Sequence, residues 1–164
     1  MLKDHKIITI VTVLILALAT VAYFSSDPSE VPTAQAVDLF ELDHELYDFG
    51  SMTMSGGKVS HMFRAKNKTD ADALIDKVTT SCMCTEAYIV RGNERIGPFG
   101  MEGHGSRPMK INSKISPGEE FDVEVVYDPS AHGPAGIGPM HRSVFVETGG
   151  REVLKLDVTG TVTP

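Results

Sequence analysis

The feature that most limits what this chain can become is a strict two-residue alternation of apolar and polar side chains, repeated many times. In Phe121-Asp122-Val123-Glu124-Val125-Val126-Tyr127, the residues Phe121, Val123, Val125 and Tyr127 share one face, while Asp122 and Glu124 look away. Leu154, Leu156 and Val158 alternate with Lys155 and Asp157, and Val59, His61, Phe63 and Ala65 alternate with Ser60, Met62, Arg64 and Lys66. Side chains alternate across a strand, so each run describes a half-buried β-strand. Turn-forming clusters separate the runs: Ser55-Gly56-Gly57, residues 67–72, Ser116-Pro117-Gly118 and Gly149-Gly150. The pattern predicts seven strands, at 40–49, 58–67, 72–79, 85–90, 119–128, 141–148 and 152–162. Seven short strands over this length predict an all-β fold, a seven-stranded antiparallel immunoglobulin-like β-sandwich, with the last strand at an edge. His61 reads as an interior histidine and His44 as an exposed residue of the first strand.

One segment breaks the pattern. Residues 7–24 form eighteen positions without a charge, and Lys3 and Lys6 precede them. As a helix this run is about 27 Å long, close to the hydrocarbon thickness of a bilayer. It predicts one N-terminal transmembrane helix, with the N-terminus cytoplasmic and the rest facing the periplasm or cell exterior. The run exceeds the usual core of a cleaved signal, and the small-x-small site Ala34-Gln35-Ala36 lies twelve residues beyond it, so we expect an anchor that is retained. The chain then divides into an anchor or signal segment (1–24), a Pro- and Ser-bearing linker (25–37) and a sandwich domain (38–164).

Composition excludes some functions. A formal charge of −7 leaves no basic excess for phosphates, which argues against a nucleic-acid partner. Glu119-Glu120 flank a Pro-Gly turn as solubilising charge. Neither Ser55-Gly56-Gly57 nor Gly103-x-Gly105 has the strand-to-helix setting of a phosphate loop or nucleophile elbow, so no enzyme activity is expected.

Cys82 and Cys84 are the only cysteines. In an extended segment their side chains share a face with Cα atoms about 6.5–7 Å apart. That separation is at the upper limit for a disulfide, and bonding them requires a local bend. Three readings remain open: a pair of thiolates pinching a soft cation, an oxidised or redox-active pair, and inert packing. For the first, copper(I) leads and zinc follows. Antiparallel connectivity brings the loops at 50–57, 82–84 and 129–140 to one end of the sandwich. His132, Met140 and His141 are therefore auxiliary ligand candidates. The long Gly-rich connection 92–114 adds Met101 and His104, because its length suffices to return to that end. The competing class is a protein-interaction or assembly module with a structural cysteine pair.

The order of short motifs also carries a resemblance. Asp48-Phe49-Gly50, Val59-Ser60-His61-Met62-Phe63, Asn67, Cys82-Met83-Cys84-Thr85, Ile115-Ser116-Pro117-Gly118-Glu119, Asp128-Pro129 and Gly160-Thr161-Val162 together resemble the bacterial domain-of-unknown-function family 1573. The resemblance runs from about residue 42 to residue 162. It implies an immunoglobulin-like sandwich related to the ASH/MSP/HYDIN-type domains, and an exported location, but no reaction and no catalytic residues. The chain departs from the family pattern at Met83, where a glycine commonly separates the cysteines, and in the longer insert 92–114.

Overall fold

The computed structural model describes residues 38–103 and 110–164. The uncharged run 7–24, the linker 25–37 and His104 lie outside the described residues. Among the described residues, no helix is long and apolar enough to cross a membrane.

The alternating runs form two five-stranded sheets. In chain order the strands are β1 (Phe40–Leu42), β2 (Leu46–Thr53), β3 (Val59–Asn67), β4 (Ala73–Thr80), β5 (Thr85–Arg91), β6 (Glu94–Phe99), β7 (Lys110–Ile115), β8 (Glu120–Tyr127), β9 (Gly138–Thr148) and β10 (Arg151–Thr163). One sheet has the order β1-β3-β8-β5-β6 and the other β2-β10-β9-β4-β7. The all-β sandwich agrees with the alternation. The expected seven strands are corrected to ten among the described residues.

Three local causes account for the extra strands. The first predicted strand is broken by Asp43-His44-Glu45, where the chain passes from one sheet to the other. Asp43 Oδ1 caps that crossing by accepting from the backbone N–H of His44 (2.8 Å) and of Arg64 (3.1 Å). The second cause is the Gly92-Asn93 pair, a two-residue turn that places Arg91 opposite Glu94 and folds β6 onto β5. Gly92 has the positive φ of 56° that such a turn demands. The third is Ile111, Ser113 and Ile115, whose alternation builds β7 as an edge beside β4. Among its described residues, the long connection is thus mostly sheet.

Pairing corrects two further expectations. β10 is not an edge strand but runs between β9 and β2, and its pairing with β2 is parallel. A sheet containing one parallel pair results because β2 enters from the opposite sheet, not from a hairpin.

Between the sheets the inward residues close the core. Phe63, Val123, Val125 and Tyr127 from one sheet meet Ile75, Val144, Val146 and Leu156 from the other, all essentially without solvent contact. Each such side chain contributes roughly 1.5–3 kcal/mol by leaving water. The predicted inward faces of β8 and β10 are the observed ones. His61 is only half-buried and lies in contact with Tyr47 and His44, and His44 sits in the β1–β2 crossing.

Candidate functional site: a cysteine pair at the end of the sandwich

Register fixes which loops meet. Val59 and Thr85 both pair with Tyr127, and Thr80 pairs with Val144, so the β2–β3 loop, the β4–β5 turn and the β8–β9 loop share one end. The β4–β5 turn also carries the chain from one sheet to the other. Cys82 and Cys84 stand in that turn.

Hydrogen bonds hold the turn in shape. Ser81 N donates to Ser143 O, and Ser143 N to Ser81 Oγ, each at 2.9 Å, tying the turn to β9. Thr85 N donates to Cys82 O at 3.1 Å, which closes residues 82–85 into a turn. The buried Thr80 hydroxyl lies 2.9 Å from the Cys82 carbonyl and supports the bend from below. Asp128 N donates to Cys84 O at 2.9 Å. The backbone is therefore not extended at this point. The Cα atoms of Cys82 and Cys84 are 5.3 Å apart, and the two sulfurs are joined as a disulfide. The bend that a bond between these residues requires is present, and it replaces the extended geometry expected from the sequence.

The sulfurs have unlike surroundings. Cys84 is 3% exposed and belongs to the core, whereas Cys82 is half-buried. His132, exposed in the β8–β9 loop, places Nε2 3.2 Å from Cys82 Sγ. Its position follows from the start of that loop: Ser130 donates from both N (2.9 Å) and Oγ (2.6 Å) to Asp128 Oδ1. The Ser130 hydroxyl holds the Asp128 carboxyl below its ordinary value, against the opposing effect of burial. The 3-10 turn Gly133–Gly136 follows, and Gly136 lies so close to His132 that an added Cβ would stand 3.1 Å from the His132 Cβ.

On the inner side of the pair stands Arg142, which sequence reasoning did not select. Its Nε donates to Cys84 Sγ at 3.2 Å, and Nη1 donates to the His141 carbonyl at 2.7 Å. Burial pushes the Tyr127 hydroxyl up, and the Arg142 charge opposes that shift, so the guanidinium also bears on the last residue of β8. The available signal was parity: Met140, Arg142, Val144 and Val146 occupy one face of β9, and Arg142 is the only polar residue among them.

The other expected ligands separate by the same rule. Met140 is buried in the hydrophobic core. His141 points from the opposite face of β9 and lies 3.1 Å from Asp157 Oδ1. Met101 forms an isolated parallel bridge with Thr80, two residues before Cys82. Cys82, Cys84 and His132 remain as a group whose ligand atoms all lie within 4.8 Å of one another.

Fold and site together define an immunoglobulin-like sandwich with a cysteine–histidine cluster at one end. Residues 40–97 match the family described as "Protein of unknown function (DUF1573)", and the chain resembles that family over a stretch that includes the cysteine pair. No curated protein matches the chain. Among solved structures, a protein of unknown function from Porphyromonas gingivalis W83 is similar with a TM-score of 0.54 at 14% identity, over 80% of this chain and 51% of that one. The present chain thus spans about half the length of that protein. The ASH/PapD-like domain 7 of human CEP192 aligns with a TM-score of 0.45 at 12% identity, over 85% of this chain and 95% of that domain. A family 123 glycoside hydrolase from Clostridium perfringens aligns with a TM-score of 0.50 at 5% identity, over 72% of this chain and 22% of the enzyme. At such identities the likeness concerns the fold alone.

Proposed function

We propose that this chain is a membrane-tethered extracytoplasmic binding domain, not an enzyme, and that its cysteine pair in the reduced state holds copper(I). The observation that carries this reading is the convergence of Cys82 Sγ, Cys84 Sγ and His132 Nε2 within 4.8 Å at a solvent-facing end. Two thiolates and an imidazole form a soft, three-donor set, which suits copper(I). Zinc in a structural site wants four protein ligands and would need one more. With metal–sulfur bonds of about 2.3 Å, two sulfurs sharing an ion stand about 3.8 Å apart. The pair must first be reduced and then open slightly, a motion confined to the Met83 turn. Arg142 stabilises the inner thiolate, and the exposed His132 leaves the ion a path from solvent. The uncharged run 7–24 supports delivery to an extracytoplasmic space and attachment to the membrane there.

The test is a titration of the full chain, solubilised in mild detergent, reduced with a phosphine and kept anaerobic, with copper(I) against a competing chelator. One equivalent bound tightly by the wild type and lost in Cys82→Ser/Cys84→Ser supports the reading. Equal, weak uptake by both chains refutes it in favour of an interaction module whose disulfide is structural.

A further inference from the structure

The two sulfurs of the Cys82–Cys84 bond are chemically unequal, and their inequality has a direction. We propose that an external thiol opens this disulfide by attacking Cys82 Sγ only, and that Cys84 Sγ departs as a thiolate received by Arg142. This holds whether or not the reduced pair then takes a metal.

Thiol–disulfide exchange proceeds in line. The incoming thiolate, the attacked sulfur and the leaving sulfur lie along one axis, so approach must be free behind the attacked atom. Cys82 is half-buried beside an exposed histidine, and solvent lies on its outer side. Cys84 is 3% exposed and belongs to the core, and Arg142 and Thr85 stand against its sulfur, so an incoming thiol has no open approach to it. Access therefore selects Cys82.

Charge selects the same direction. A leaving sulfur gathers negative charge as the bond breaks, and exchange is faster when that charge is stabilised. Arg142 Nε already donates to Cys84 Sγ at 3.2 Å, and the Thr85 hydroxyl lies 3.7 Å from the same sulfur. Among the described residues no α-helix N-terminus of the kind that lowers thiol pKa in other disulfide proteins faces this sulfur; a guanidinium takes that place.

The balance is simple. A thiolate RS⁻ forms an RS–Sγ bond to Cys82 as the Cys82–Cys84 bond breaks, and the electron pair goes to Cys84 Sγ. A second thiolate attacks the RS sulfur, releases Cys82 Sγ as thiolate and leaves RS–SR. Two thiols are oxidised and one disulfide is reduced. Arg142 touches the departing sulfur and acts by stabilising its developing charge.

The experiment treats the oxidised full chain in detergent with limiting reduced glutathione, quenches with N-ethylmaleimide, and locates both groups by fragment mass spectrometry. The expected product carries glutathione on Cys82 and maleimide on Cys84, with a preference of about tenfold or more over the reverse. Glutathione mainly on Cys84, an even mixture, or no opening at all would each overturn the proposal. Arg142→Met should slow opening about tenfold, and Arg142→Lys should recover most of the rate. Should Arg142→Met open as fast as wild type, the guanidinium has no part in the step. Because the copper titration begins from phosphine-reduced chain, a failure there and a failure here are separate results.

Discussion

His44 and His61 meet at the open side of the sandwich with their Nε2 atoms 2.7 Å apart, and the Tyr47 ring stacks on His61 at 3.5 Å between centroids. His44 Nδ1 lies 2.9 Å from Asp43 Oδ1, a geometry in which Nδ1–H faces the carboxylate and Nε2 is left to accept from His61. The clasp joins the β1–β2 crossing, β2 and β3, and so spans both sheets. Burial, and after it the neighbouring His44, lower the His61 pKa from 6.5, while Asp43 opposes them. A folded imidazole with a depressed pKa binds fewer protons than the unfolded chain. Its stabilising effect is complete above about pH 6.5 and is lost as pH falls from there toward the lower folded value. Urea midpoints should therefore drop between about pH 7.5 and pH 5, and His61→Phe should reduce that drop. An identical drop in the variant would contradict the assignment.

Asn67 is fully buried and uses all its side-chain bonds. Nδ2 donates to the Ala71 and Ile115 carbonyls, each at 2.9 Å, and Oδ1 accepts from Thr69 N (3.0 Å) and Thr69 Oγ1 (2.8 Å). It thereby joins the end of β3 to the end of β7 and to the turn before β4. Asn67→Ala removes the buried donor to the Ile115 carbonyl, while the Ala71 carbonyl keeps the Thr69 hydroxyl at 2.9 Å, and should cost about 1–3 kcal/mol, read as a lower urea midpoint with an unchanged slope.

Gly97 has φ of 144°, and an added Cβ would stand 2.7 Å from Tyr88 Cδ1 and 2.8 Å from the Ala87 carbonyl. The carbonyl is backbone of the paired strand β5 and cannot swing away. Gly97→Ala should destabilise the domain by about 2–3 kcal/mol in denaturant titrations.

His132 in the β8–β9 loop and His141 within β9 should behave oppositely. His132→Ala should weaken copper(I) binding by at least the ~10–100-fold that outer-shell partners cost. His141→Ala breaks an exposed pair with Asp157, worth about 1 kcal/mol or less, and should leave copper affinity unchanged. Equal losses from both variants would contradict the assignment of His132, and not His141, to the cysteine pair.

The strand faces were legible because alternation is a local property: Phe121, Val123 and Val125, or Leu154 and Leu156, declare their side without reference to partners. Sheet order was not legible. The parallel pairing of β2 with β10 joins segments far apart in the chain, Leu46 with Asp157, and nothing in either segment specifies the other. The β5–β6 hairpin was legible in Gly92-Asn93, but the neighbouring glycines of the insert obscured it. At the site, Cys82, Cys84 and His132 emerged from counting which loops share an end. Arg142 did not, because a cation beside a histidine suggests an exposed charge until parity places it beside Met140. Parity also places His141 on the opposite face of β9 from Met140.

The most direct test of the site is the X-ray absorption spectrum of the copper(I)-loaded full chain. The ion should be bonded to two sulfurs and one nitrogen, with the nitrogen lost in His132→Ala and the sulfurs retained. A shell of thioether or light atoms alone, unchanged when Cys82 and Cys84 are replaced by serine, would contradict it.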